Sequence, residues 1–216
     1  MKFAMSYSGG KDSALALYRL LQQNHQCVAL ISTANSEQQR TWFHGIPNEL
    51  MQAAADSMQI PLIMVNSTAD NYTEALAVAL LEAKGNGAEA CAFGDIDIED
   101  HKTWDSALCE SVGLQCLLPL WQEDRNALVN ELLMIGFKPL VKIVDLSSLD
   151  ESLLGLTLTS ELVQKIIAAG ADACGENGEY HTFVYDGPSF SKPVDFSVGE
   201  VIDLVTHKAI DIFLPE

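Results

Sequence analysis

The chain has 216 residues, 48% of them hydrophobic and 19% charged, which suits a globular protein with a real core and excludes a disordered one. Thirty acidic against twelve basic residues leave a net charge of -18, so nucleic acid is repelled unless cations gather on one face, and the sequence shows no such gathering. No apolar run reaches the roughly 20 residues of a membrane span, and residues 1–8 lack a signal peptide's basic start and cleavage site, so a cytoplasmic protein without a membrane partner is expected.

Residues 2–8 read as a buried strand and 12–23 as a helix with Leu15, Leu17, Tyr18 and Leu21 close to one stripe. A second strand follows at 27–31. The polar stretch 32–47 reads as a long loop, and loops of that length call for a functional reason. A helix over 48–58, a strand over 61–65 and a helix over 72–83 continue the alternation. So do a strand at 90–93, a helix at 99–112 closed by Gly113, a strand at 114–118 and a helix at 125–135 ending at Gly136. This rhythm predicts an α/β fold, a Rossmann-like parallel sheet with helices on both faces and ligands at the carboxyl ends of its strands. From residue 137 the rhythm changes: strands at 137–144, 180–185 and 198–205, a turn or short helix at 147–155 and a capped helix at 159–169. The expected division is therefore a nucleotide-binding domain over 1–136 and a smaller α+β substrate lobe over 137–216.

The chemistry concentrates at Ser8-Gly9-Gly10-Lys11-Asp12-Ser13, between the first strand and the first helix. Adjacent glycines let backbone N–H groups approach a ligand, and the helix start adds unpaired donors and positive dipole. Such a site wants a polyanion. Lys11 adds a point charge, Ser8 and Ser13 add hydroxyls, and Asp12 either positions Mg²⁺ or caps the helix. Met5 stands where a Walker A loop needs its first glycine, so that reading is excluded.

This loop resembles the SGGxDS signature of the PP-loop ATP pyrophosphatases, which implies the adenine nucleotide alpha hydrolase-like arrangement and cleavage of ATP to AMP and pyrophosphate. Three further stretches are similar to the diphthine–ammonia ligase family: Phe93-Gly94-Asp95-Ile96, Pro119-Leu120-Trp121, and Cys174-Gly175-Glu176-Asn177-Gly178-Glu179-Tyr180-His181-Thr182. The resemblance covers nearly the whole chain. It implies an ATP-dependent ligase that adenylates a carboxylate, protein-borne or small, and amidates it with ammonia, with ATP and Mg²⁺ as cofactors. It carries Gly94 and Asp95 over as nucleotide contacts, and Lys11, Asp12, Glu176, Glu179 and His181 as catalytic groups. Asn177 departs from the family's Glu-Gly-Gly-Glu pattern, so the resemblance speaks to the chemistry more than to the substrate. Two other readings stay open: a PP-loop ligase for another small carboxylate or amide, and a non-catalytic ATP sensor. A homodimer is left open too.

Bland alternatives stand beside several residues. Asp95, Asp97, Glu99 and Asp100 precede a helix whose dipole favours acids without a ligand, with Asp95 the exception at a strand's carboxyl end. His44 lies in the long loop, either near a nucleotide base or in solvent. Trp104 and Trp121 read as core or lobe-interface residues. Glu176, Glu179 and His181 either hold ammonium, take its proton and orient substrate, or form a solvated turn. The scattered Cys27, Cys91, Cys109, Cys116 and Cys174 make no C-x-x-C pair and read as small buried residues.

Overall fold

The computed structural model describes residues 1–215. The first half alternates as its periodicity predicts: β1 (Lys2–Ser6), α1 (Lys11–Gln22), β2 (Gln26–Asn35), a short β3 (Arg40–Thr41), α2 (Asn48–Met58) and β4 (Leu62–Ser67). Then come α3 (Tyr72–Gly85), β5 (Ala90–Ala92), α4 (Glu99–Val112), β6 (Gln115–Leu117) and α5 (Arg125–Ile135). β2 pairs in parallel with β1 on one edge and β4 on the other, and β5 and β6 continue the sheet beyond β1. Side-chain alternation along β1 splits the core between the two faces. Phe3 and Met5 pack with α1, α2 and α5, while Ala4 faces the helices α3 and α4.

The parallel sheet is as expected, with one short addition, β3, which runs antiparallel to the last residues of β2. One expectation is corrected. The stretch 32–47 is thus no open loop: β2 continues to Asn35 and a hairpin returns through β3. Because β4 already holds one edge of Ala34 and Asn35, β3 lies on the edge that β1 vacates after Ser6. The hairpin is therefore a flap over the end of β1.

The second lobe is a four-stranded antiparallel sheet in the order β8-β7-β10-β9, with α6 (Ser160–Ala168) beside it. Its strands are β7 (Lys138–Asp145), β8 (Tyr180–Asp186), β9 (Ser197–Leu204) and β10 (His207–Phe213). β10 has no counterpart in the sequence reading, since Lys208 and Asp211 interrupt its apolar pattern. α6 begins as read, with Thr159 capping the Leu162 N–H at 3.2 Å. One continuous core joins Leu15, Leu50 and Leu128 to Tyr180, Phe183 and Ile166, so packing does not break at residue 136.

Candidate active site

The predicted loop sits at the carboxyl end of β1, with Lys11, Asp12 and Ser13 forming the first turn of α1. Gly9 takes a left-handed φ of +81°, and a Cβ there would meet Ile46 Cδ1 at 2.7 Å and Met51 Sδ at 2.8 Å. No other residue fits that backbone and that space. Gly10 is the N-cap, and a methyl on it would collide with the His44 ring. Ser8 Oγ accepts the Gly10 N–H at 3.3 Å and lies 3.2 Å from Ser13 Oγ, which donates to the Gly10 carbonyl at 3.0 Å. Gly94 is small for a different reason: its Cα presses on the backbone of Asp12 and Ser13, where a Cβ would meet Ser13 N at 2.8 Å.

β8 is docked directly on this loop. The Val184 N–H donates to the Gly9 carbonyl at 2.8 Å, and the Lys11 N–H donates to Thr182 Oγ1 at 3.1 Å. The flap completes the joint, since His44 Nδ1 lies 2.7 Å from the Thr182 carbonyl and the His44 and His181 rings stand 5.0 Å apart. The second lobe is thus registered by one strand, through two hydrogen bonds to the loop and one to the flap.

Together these elements enclose a cleft of about 560 Å³. Ser8, Lys11, Asp12 and Ser13 line it from the loop, His44 from the flap, and Gly94 and Asp95 from the end of β5. Glu176 and His181 line it from the second lobe. Glu179 does not reach it. Its carboxylate accepts from the Asp172 N–H at 3.0 Å, the Asn177 N–H at 3.0 Å and Asn177 Nδ2 at 2.9 Å. The turn uses that acid internally, and Asn177, the departure from the family pattern, is one of its donors. This corrects the pairing of Glu176 with Glu179 as equivalent catalytic acids.

Electrostatics separate the acids further. Burial, then the charge of Asp12, pushes the Glu176 carboxyl up to about 7, with Lys11 and Arg125 pulling against the rise and Asp95 adding to it. Burial also opposes the charge on Glu179, but hydrogen bonds from Asn177 and the backbone outweigh it and hold its carboxyl below the usual range. Lys11 is buried, with Nζ 2.8 Å from Asp12 Oδ2 and 5.1 Å from the Tyr180 ring centre. Burial alone would lower that amine, yet Asp12 reverses the effect and keeps it a cation. Asp12 makes no helix cap, because it is the second residue of α1 and Gly10 holds the N-cap position. His181 is pushed down to about 4 by burial and then by Lys11, and His44 falls below its ordinary value by burial and by His181.

The opposite wall is aromatic, and sequence reasoning missed it. Phe43 and Tyr72 line it, as does Trp104, which is 37% exposed and no core residue. The rings of Tyr72 lie 6.4 Å from Phe43 and 6.1 Å from Trp104. Beside them Asp105 is buried with Oδ2 unpartnered, and burial followed by the charge of Asp95 raises it to about 9. His101 Nδ1 meets Asp95 Oδ1 at 2.8 Å, so Asp95 is occupied from the α4 side. A helical stripe carries no sign of a cleft, which is why Trp104 and Asp105 could not be singled out from α4 alone. Among the described residues no group of three His, Cys, Asp or Glu could hold a metal ion, and no helix is long and apolar enough to cross a membrane.

A family model described as the diphthamide synthase N-terminal domain matches residues 1–116, and one for the diphthamide synthase C-terminal domain matches residues 124–211. The diphthine–ammonia ligase of Homo sapiens is 26% identical over 240 residues, covering 100% of this chain and 88% of the human protein. That of Saccharomyces cerevisiae is 28% identical over 244 residues, covering 95% of this chain and 35% of the yeast protein. A solved structure titled as a predicted subunit of tRNA methyltransferase from Methanocaldococcus jannaschii aligns over 87% of this chain and 98% of its own, with a TM-score of 0.46 and 15% identity.

Proposed function

The chain belongs to the diphthamide synthase family, and from that premise we propose that it is an AMP-forming ligase that amidates a carboxylate with ammonia. Its relatives are named for diphthine; the acid used here is left as a carboxylate class. The observation that carries this reading is the shared cleft. One strand of the second lobe is bonded to the phosphate loop, which brings the raised carboxyl of Glu176 to the same cavity as Lys11, Ser8 and Ser13. ATP enters with its β- and γ-phosphates on the loop, where Lys11 and the start of α1 stabilise the charge of the departing pyrophosphate. A substrate carboxylate attacks the α-phosphorus and becomes the acyl-adenylate. Ammonia then displaces AMP.

Glu176 serves the second step. Ammonium must lose a proton before its nitrogen can attack, and a carboxyl near 7 is matched to take that proton at neutral pH. Lys11 and Asp12 serve the first step. No three-ligand cage exists among the described residues, so Mg²⁺ would arrive on the nucleotide and offset phosphate charge, with Asp12 the loop carboxylate nearest to it in role. We place the protein in the cytoplasm, where ATP and ammonium are both present. Incubation with MgATP, ammonium and candidate acids, followed by mass spectrometry, tests the proposal: an amide formed with one AMP per turnover supports it. ATP binding with no turnover across acids would instead make the protein a sensor.

A further inference from the structure

The His44 imidazole is set against the phosphate loop in a way that the ligase reading does not use. Its Nδ1 lies 2.7 Å from the Thr182 carbonyl, and a carbonyl only accepts, so Nδ1 carries the hydrogen. The neutral ring therefore presents a bare Nε2. The ring rests on the loop itself, since a Cβ built on Gly10 would lie 2.3 Å from Cε1, 3.0 Å from Nε2 and 3.1 Å from Nδ1. The charged or titratable groups facing the ring are His181 on β8, Lys11 on α1 and Lys142 on β7, and all three disfavour a proton on it. Asp12, held by Lys11, and Glu176 line the same cleft, but the ring is governed by burial, then His181, Lys11 and Lys142. An acceptor nitrogen beside a polyanion site is mismatched to its ligand: a lone pair repels a phosphate oxygen, whereas an N–H binds it.

We propose that His44 is a proton-coupled phosphate contact, which takes one proton from solvent as the polyphosphate of ATP enters the loop and donates Nε2–H to a phosphate oxygen. The inference rests on the reading of ATP at the loop. Before ATP binds, burial first and then His181, Lys11 and Lys142 keep the ring neutral. The arriving phosphates reverse both the sign of the local field and the preference of the ring. The imidazolium then faces the oxygens on which charge grows as pyrophosphate departs. By linkage, MgATP affinity falls as pH rises through the bound-state value of His44.

The experiment is titration calorimetry with MgATP about one pH unit above the ordinary histidine value of roughly 6.5, in buffers of different ionisation heat. The expected result is uptake of about one proton per MgATP in the wild-type protein. His44→Gln should retain the fold, lose that uptake and bind MgATP at least roughly tenfold more weakly, while His181→Gln should keep the uptake. The ¹⁵N shifts of His44 should pass from neutral to imidazolium on adding MgATP, a readout that needs no variant. MgATP binding without proton uptake overturns the proposal and leaves the ligase reading intact. So does uptake that survives His44→Gln and disappears in Glu176→Gln, which moves the proton to Glu176. Failure of the wild-type protein to bind MgATP sinks the ATP reading and this inference with it.

Discussion

The phosphate loop and the turn from Cys174 to His181 face each other across one cleft, yet they use their polar groups in opposite ways. The loop keeps its side chains small and offers backbone, hydroxyls and one buried lysine to a ligand. The turn closes most of its polar groups on itself. Asp172 Oδ1 accepts the Cys174 and Glu176 N–H groups at 2.9 and 3.2 Å, Glu179 accepts three more donors, and only Glu176 and His181 are left facing the cavity with charge chemistry. A glycine-rich anion site shows its function in its residue types, while an acid-rich turn hides which acid is structural.

The largest expected effect tests the division of labour between the two regions. Glu176→Gln should lower amide formation by about two to four orders of magnitude and leave MgATP affinity within a few fold, as measured by coupled rate assays and calorimetry. Equal losses in both would merge the two regions into one nucleotide site. Gly10→Val comes next. The added side chain must displace the His44 ring from the loop, so MgATP affinity should fall about a hundredfold, the scale on which removal of a site's phosphate and oxyanion donors is felt. Unchanged affinity in a folded variant would show that the loop is not the phosphate site.

Glu179→Gln sharpens the contrast within the turn itself. It should destabilise the protein by about 1–3 kcal/mol, because buried donors lose a charged acceptor, while amidation falls far less than in Glu176→Gln. Denaturant titration beside the rate assay separates these outcomes. If Glu179→Gln abolished amidation at unchanged stability, the assignment of the two acids would be reversed.

The smallest effect concerns pH. Glu176 is raised from 4.5 to about 7 on folding, so its burial favours the folded state least where it must ionise. Its contribution is fully present below about 4.5 and is lost as pH rises toward 7. Glu176→Gln removes that loss. The variant should therefore gain stability relative to the wild type by up to about 1–3 kcal/mol between pH 4.5 and 7, visible as a Tm difference that grows with pH. A constant difference would mean that Glu176 is solvated in the folded protein.

The order of strands and helices from β1 to α5 was legible, apart from β3 and the last four residues of β2, because the helices and buried strands are separate apolar runs divided by turn residues. Residues 32–47 were opaque, since the flap is held by a two-residue pairing with β2 and by His44 against Thr182, a contact that spans 138 residues, and neither leaves a local periodicity. β10 escaped because Lys208 and Asp211 break its apolar residues into two short pairs, Ala209-Ile210 and Ile212-Phe213, too brief to read as a strand. At the cleft, Ser8, Lys11 and Ser13 could be picked out from residue type and spacing, whereas Glu176 could not be told from Glu179. Phe43, Tyr72, Trp104 and Asp105 were not legible, because they come to one wall only through the packing of α3 beside α4 and of the flap's Phe43 against Tyr72.

The central claim is that this loop holds ATP for cleavage between the α- and β-phosphates. Chromatography of the nucleotide spent during turnover with ammonium and an accepted acid tests it most directly. AMP and pyrophosphate in equal amounts, matched to the amide formed, are the predicted products. ADP and inorganic phosphate would contradict it.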